Sequence, residues 1–181
     1  SLAKDRSLSV ILKALRELLK KYPEARSVIR VHAYGAPLDS ASLQAIDEYG
    51  FQDVLLVHGR LEKDPLTGLS GRERVVAKMQ EADVLILLHG TGEECAEYIP
   101  SKFYDYLWAH RPIWGITHRN PQLDQMLVER NAYLSISGDD ASLAMTLEKI
   151  WLDWQQKNLN QVKGTPIGVN HAVKKIIETA V

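Results

Sequence analysis

The chain has 181 residues, of which 45% are hydrophobic and 25% charged, and its formal net charge at pH 7 is −1. This composition is typical of a globular protein with its own core, and the near-zero charge gives no electrostatic basis for binding nucleic acid or an anionic membrane. The one cysteine, Cys95, excludes a disulfide within the chain, and no apolar run approaches the roughly 20 residues of a transmembrane segment. We therefore expect a cytoplasmic protein, peripheral at a membrane at most in its full-length form.

Helical and strand patterns alternate along the chain. Apolar residues at helical spacing predict a first helix from Leu8 to Leu19, with Pro23 as its stop. The elements predicted after it are strand 27–33, helix 41–49, strand 54–57, helix 69–81, strand 84–88, a helix from 100, strand 113–116, helix 122–130, strand 133–136, helix 140–156 and helix 169–180.

This alternation predicts an α/β fold, namely a Rossmann-like parallel sheet with helices on both faces. We expect residues 1–160 to form this domain and 161–181 to form a C-terminal loop and helix, which packs on the domain or reaches toward a further one. The chain opens on a helical pattern without an initiator methionine, so we also expect it to be a fragment of something longer.

Ligands of such sheets bind beyond the carboxyl ends of the strands, where the loops 58–62, 89–99 and 117–121 are expected. The first two of these loops contain most of the unusual residues, and a helix start follows the second. Pro100 suits the start of a helix, which places Ser101 and Lys102 in its first turn. A cation is unfavourable there, because a helix N-terminus already carries partial positive charge. Free amides together with an ammonium group suit an anion such as a diphosphate, although a surface lysine is the plain alternative.

Two acids flank this helix start. Glu97 precedes it and Asp105 lies in its second turn. A carboxylate accepts hydrogen bonds from two vicinal hydroxyls, so the pair is suited to a nucleoside. The alternative is that Asp105 only complements the helix N-terminus and that Glu97 is a solvated loop residue.

Other signals are weaker. Thr91 and Gly92, in the run Gly-Thr-Gly, can bring backbone amides near a phosphate, or they form an ordinary tight turn. Arg60 ends a strand, where it can lie along a base, reach a phosphate or simply be exposed. His89 and Cys95 lack further ligands at metal-site spacing, so we expect no metal and no cofactor.

The segment from Glu97 to Ile113 resembles a segment of the family-four, GT-B-type glycosyltransferases. Its Pro-Ser-Lys-Phe-Tyr-Asp-Tyr-Leu and His-Arg-Pro-Ile are similar to the family's Pro-x-Lys-x-x-Glu-Tyr-Leu and Arg/Lys-Pro-Ile, and Glu97 and Asp105 have the spacing of its Glu-x7-Glu motif. The run Glu-Ala-Asp-Val at 81–84 and the strand at 54–60 also resemble family segments, so that the resemblance covers about residues 4–155.

The resemblance implies one half of a GT-B fold, the C-terminal domain that binds a nucleotide-diphospho-sugar. Asp105 would then bind the ribose, Glu97 would lie near the donor sugar, and the base would lie near Arg60 and Leu61. The helix amides around Ser101 and Lys102 would face the diphosphate.

The whole enzyme would transfer a sugar to an unidentified acceptor, with retention and without a metal, as in polysaccharide biosynthesis. The fragment alone would lack an N-terminal domain, bind nucleotide weakly and be inactive. The sequence departs from the family pattern in two places. Asp105 replaces the usual Glu, and the family's first strand is either absent or represented only by residues around Lys4 and Arg6. The alternatives are a nucleotide-sugar epimerase of the same plan and a non-catalytic scaffold or subunit.

Overall fold

The computed structural model describes residues 6–164. Helices and strands alternate throughout these residues. The helices are α1 Ser9–Lys21, α2 Ser40–Tyr49, α3 Gly71–Glu81, α4 Ser101–Ala109, α5 Pro121–Glu129 and α6 Asp140–Gln155. The strands are β1 Val31–Tyr34, β2 Leu55–Gly59, β3 Leu85–Leu88, β4 Ile113–Thr117 and β5 Tyr133–Ile136. The predicted helix 169–180 and Lys4 lie outside the described residues.

Within residues 6–164 each predicted helix and strand has a counterpart, and side-chain caps mark the starts of several helices. Asp39 accepts a hydrogen bond from the amide of Ser42 at the start of α2, and Ser70 and Glu73 form a capping box at the start of α3. The prediction of a strand from residue 27 was wrong. Pro23 begins a 3-10 turn that runs to Ser27, so β1 begins only at Val31.

All strand pairs are parallel, and the predicted α/β class is confirmed. The strands form two sheets, however: β1 pairs with β2, and β3, β4 and β5 pair in that order. The three-stranded sheet is covered on both faces. One face packs against α1 and α6, and the other against α4 and α5. The second of these clusters comprises Leu87, Phe103, Leu107, Ile113, Leu123 and Leu127.

The two-stranded sheet is packed differently. Its covered face joins α1 and α2 in a cluster around Leu12, Leu15 and Leu55. His32, Tyr34 and His58 form a contiguous ring cluster on these two strands. His32 Nδ1 and His58 Nε2 are 2.9 Å apart, and the ring planes differ by 3°. The two rings are therefore nearly parallel, with one nitrogen of each at hydrogen-bond distance from the other. Burial and the neighbouring His58 lower the pKa of His32.

Helix α1 joins the two sheets, because Leu12 and Leu15 belong to one core cluster and Ile11 to the other. Among the described strands, β4 pairs on both sides and each of the other four pairs on one side. Tyr106 occupies part of the free edge of β3, where its hydroxyl donates to the carbonyl of Ile86 at 3.3 Å. Burial, with the nearby Asp105, raises the pKa of Tyr106 to about 12.

Within residues 6–164, no helix is both long and apolar enough to span a bilayer.

Candidate functional site

The first turn of α4 is open to solvent. Pro100 is the N-cap, one residue before the predicted position, and Ser101 and Lys102 follow as exposed residues. Because proline has no side-chain acceptor, no side chain among residues 6–164 caps this turn with a hydrogen bond. Phe103 and Leu107 anchor the same helix in the core. The turn therefore combines a fixed position with the exposed residue Ser101 and the ammonium group of Lys102.

Asp105 lies on α4 one turn beyond Lys102, and it makes a contact that the sequence did not predict. Its Oδ1 accepts a hydrogen bond from Nη2 of Arg72, on α3, at 2.9 Å. The side chain of Asp105 is 33% exposed and that of Arg72 is 77% exposed. The pair therefore stands at the surface, at one end of a groove between α3 and α4 that Val75, Met79 and Trp108 also line.

The loop after β2 lies directly against the start of α3. A side chain on Gly71 would overlap the carbonyl oxygen of Leu61, so the backbones approach closely there. Nη1 of Arg74 donates to the carbonyl of Glu62 at 2.8 Å. The side chain of Arg60 is exposed, with its Nε 3.3 Å from Glu62 Oε1. The loop 58–62, which is predicted to lie near the nucleotide base, is thus linked to Asp105. Its Leu61 packs on Gly71, and the next residue, Arg72, binds Asp105.

The loop after β3 is held from inside the domain. Asn120, fully buried, donates from Nδ2 to the carbonyls of Cys95 and Tyr98 at 2.9 and 3.0 Å. His89 Nε2 is 3.0 Å from the same Tyr98 carbonyl, and since a carbonyl only accepts, Nε2 carries the proton. Burial lowers the pKa of His89, and Arg6 nearby adds to this effect.

The predicted residues of this loop lie on its outside. Thr91 and Glu97 are exposed, and Gly92 is half-buried against the carboxylate of Glu94. A 3-10 turn from Glu93 to Cys95, which the sequence did not predict, shapes the loop. Thr91, Gly92 and Glu97 thus belong to a loop anchored at the carboxyl end of β3, and their proposed roles stay predictions.

Three residues that shape the site were not predicted: Gly71, Arg72 and Asn120. Arg72 carried a usable signal, because it is a cation in the first turn of a helix, as Lys102 is. Gly71 and Asn120 carried none, since their roles depend on chain segments far away in the sequence. In the part of the chain described, no three His, Cys, Asp or Glu side chains are placed to share a metal ion.

No family model matches the chain, and no curated protein matches its sequence. Among solved structures, the fold is similar to that of the pneumococcal O-GlcNAc transferase GtfA, determined in complex with UDP and GlcNAc. The TM-score is 0.60 and the sequence identity 20%, over 87% of this chain and 28% of that one. The chain thus spans little more than a quarter of that enzyme. The described residues have the Rossmann-like fold of one half of a GT-B glycosyltransferase.

Proposed function

We propose that this chain is the nucleotide-sugar-binding domain of a glycosyltransferase. The observation that carries the proposal is the start of α4, where uncapped amides, Lys102 and Asp105 occur together at the surface. The fold supports it, because the similar protein GtfA was solved with UDP bound. The three groups match the parts of a nucleoside diphosphate, an anion followed by a diol.

The diphosphate would bind at the first turn of α4. The amides of Ser101 and Lys102 point along the helix axis toward solvent, and the partial positive charge of the helix end adds to the ammonium of Lys102. Thr91 and Gly92 would approach the phosphates from the neighbouring loop. Since negative charge builds up on the leaving diphosphate during transfer, these groups would stabilise the transition state without a metal ion.

The nucleoside would extend from there toward α3. Asp105 would accept hydrogen bonds from the ribose hydroxyls, and the base would lie against Arg60 and Leu61. The packing of Leu61 on Gly71 supports this placement, since it brings the base loop to the helix that contacts Asp105. Glu97 would lie near the donor sugar as a catalytic residue of the retaining transfer.

The acceptor site and the rest of the cleft would belong to an N-terminal domain of the longer enzyme. That the chain spans 28% of the length of GtfA supports this division. The chain alone would then bind nucleotide weakly and catalyse no transfer.

Isothermal titration of the chain with UDP, ADP and GDP tests the proposal. We expect weak but saturable binding of at least one of them, and Asp105→Ala should weaken it at least tenfold, because a charged acceptor for two hydroxyls is lost. Asp47→Ala, which removes an exposed acid from α2, is the matched control and should bind as the wild type does. Absence of binding to every nucleotide would contradict the proposal.

The two alternatives have separate signatures. An epimerase would isomerise a nucleotide-sugar in the full-length protein without an acceptor. A scaffold domain would form a stable complex with a protein partner and show no affinity for nucleotides. The feature that points to a scaffold is Asp105, which stands where the resembled family has Glu and is one methylene shorter at a ligand-binding position.

A further inference from the structure

We infer that Arg72 is a positioning residue of this site, which orients the carboxylate of Asp105 for a ribose diol. The inference rests on the proposed function and deepens it. Asp105 was predicted to be a site residue from the sequence pattern, whereas Arg72 is identified only by its hydrogen bond to Asp105 in the structure.

The position of Arg72 is electrostatically unusual. It is the second residue of α3, where the helix N-terminus disfavours a cation. The carboxylate of Asp105 at 2.9 Å offsets this. An ion pair this exposed contributes little to stability, so its contribution to folding does not explain the arrangement. Its effect falls on the orientation of Asp105.

The contact holds one oxygen of the carboxylate and leaves the other available. Arg72 donates to Oδ1, and within residues 6–164 no hydrogen bond to Oδ2 is found. A carboxylate has about four acceptor positions, so a diol can be accepted while the guanidinium stays in place. Fixing Oδ1 removes rotational freedom that would otherwise be lost when the ligand binds.

Contacts independent of the Arg72 side chain hold the start of α3. The capping box satisfies the amides of Ser70 and Glu73, and Gly71 packs against Leu61. Arg74 adds its hydrogen bond to the carbonyl of Glu62. Replacing the Arg72 side chain therefore leaves the helix start in place, and changes in affinity report on Asp105.

The test compares two ligands that differ only in the ribose. The nucleoside diphosphate that the wild type binds best and its 2′,3′-dideoxy analogue are titrated into the wild type, Arg72→Gln and Arg72→Lys. We expect Arg72→Gln to weaken binding of the ribonucleotide by about three- to tenfold, the cost of ordering one side chain when the ligand binds, and to leave the affinity for the dideoxy analogue unchanged. Arg72→Lys should recover part of the loss.

Lys78→Gln is the control, because it removes an equal charge from the other end of the same helix. This variant should bind both ligands with the affinity of the wild type. Equal weakening of both ligands by Arg72→Gln would overturn the inference, since the arginine would then act on the phosphates. An Arg72→Gln variant that binds both ligands as the wild type does, while Asp105→Ala does not, would also overturn it. If the wild type binds no nucleotide, the proposed function fails, and the inference falls with it.

Discussion

Two regions of this domain are built in different ways. The sheet of β3, β4 and β5 has helices on both faces, and its core includes fully buried residues such as Trp114, Leu123 and Leu127. The region around α3 has no such core, because none of the residues of α3 is buried. Its helix is held at its start by the capping box of Ser70 and Glu73, by the approach of Gly71 to Leu61 and by the hydrogen bond of Arg74.

The candidate site lies where the two regions meet. Helix α4 is fixed by Phe103 and Leu107 in the core, so Lys102 and Asp105 project from a firm support. The opposite side, with Leu61 and Arg72, depends on polar contacts at the surface. A site of this kind can be closed by its ligand, because few buried contacts oppose movement of α3.

The comparison is tested most strongly by truncating one apolar residue in each region. Leu123→Ala should lower the free energy of unfolding by about 2–5 kcal/mol, since it leaves a cavity in a fully buried cluster. Val76→Ala, at a side chain of α3 that is 39% exposed, should cost less than about 1 kcal/mol. Denaturant unfolding measures both. Equal losses of unfolding free energy would show that α3 belongs to the core and would contradict the contrast between the two regions.

Gly71→Ala tests the polar attachment of α3. The added methyl group would overlap the carbonyl oxygen of Leu61, so the loop or the helix start must move, at a cost of about 1–3 kcal/mol. Faster amide hydrogen exchange in residues 60–62 should report the movement. Gly92→Ala is the control, because its methyl group meets only the end of the flexible Glu94 side chain. A Gly71→Ala variant with unchanged exchange would show that this contact does not hold the loop.

The pH dependence of stability tests the attachment of the loop after β3. Burial lowers the pKa of His89 below its usual value, so as the pH falls from 7 to 5 the unfolded chain binds a proton that the folded chain resists. Stability should therefore decrease over this range. The hydrogen bond to the Tyr98 carbonyl and the carboxylate of Asp124 oppose this lowering of the pKa, whereas Arg6 adds to it.

His89→Gln should flatten this dependence, because Gln has no proton to gain. Thermal unfolding at pH 5, 6 and 7 measures the change, with the exposed His110→Asn as control. A slope that is the same in His89→Gln and in the wild type would assign the effect to other groups.

Much of the fold could be predicted from local sequence. Asp39, Ser70 and Asp139 mark helix starts by a side chain that binds an amide three residues on, and such a signal needs no knowledge of the rest of the chain. The segment with Lys102 and Asp105 was found for a similar reason, since a cation at a helix start conflicts with the local field.

What could not be predicted depends on residues far apart in the sequence. Arg72 and Asp105 are 33 residues apart, and Asn120 reaches the carbonyl of Cys95, 25 residues away. The division of the strands into two sheets is likewise a matter of which strands pair, and strand periodicity says nothing about the partner.

The most direct test of the donor-site assignment is a nuclear magnetic resonance titration of the labelled chain with the nucleoside diphosphate it binds best. Amide shifts should change along a continuous surface formed by Leu61, Gly71 and Arg72 on one side and by Ser101, Lys102 and Asp105 on the other. Changes confined to α5 and α6, or no changes with any nucleotide, would contradict the assignment.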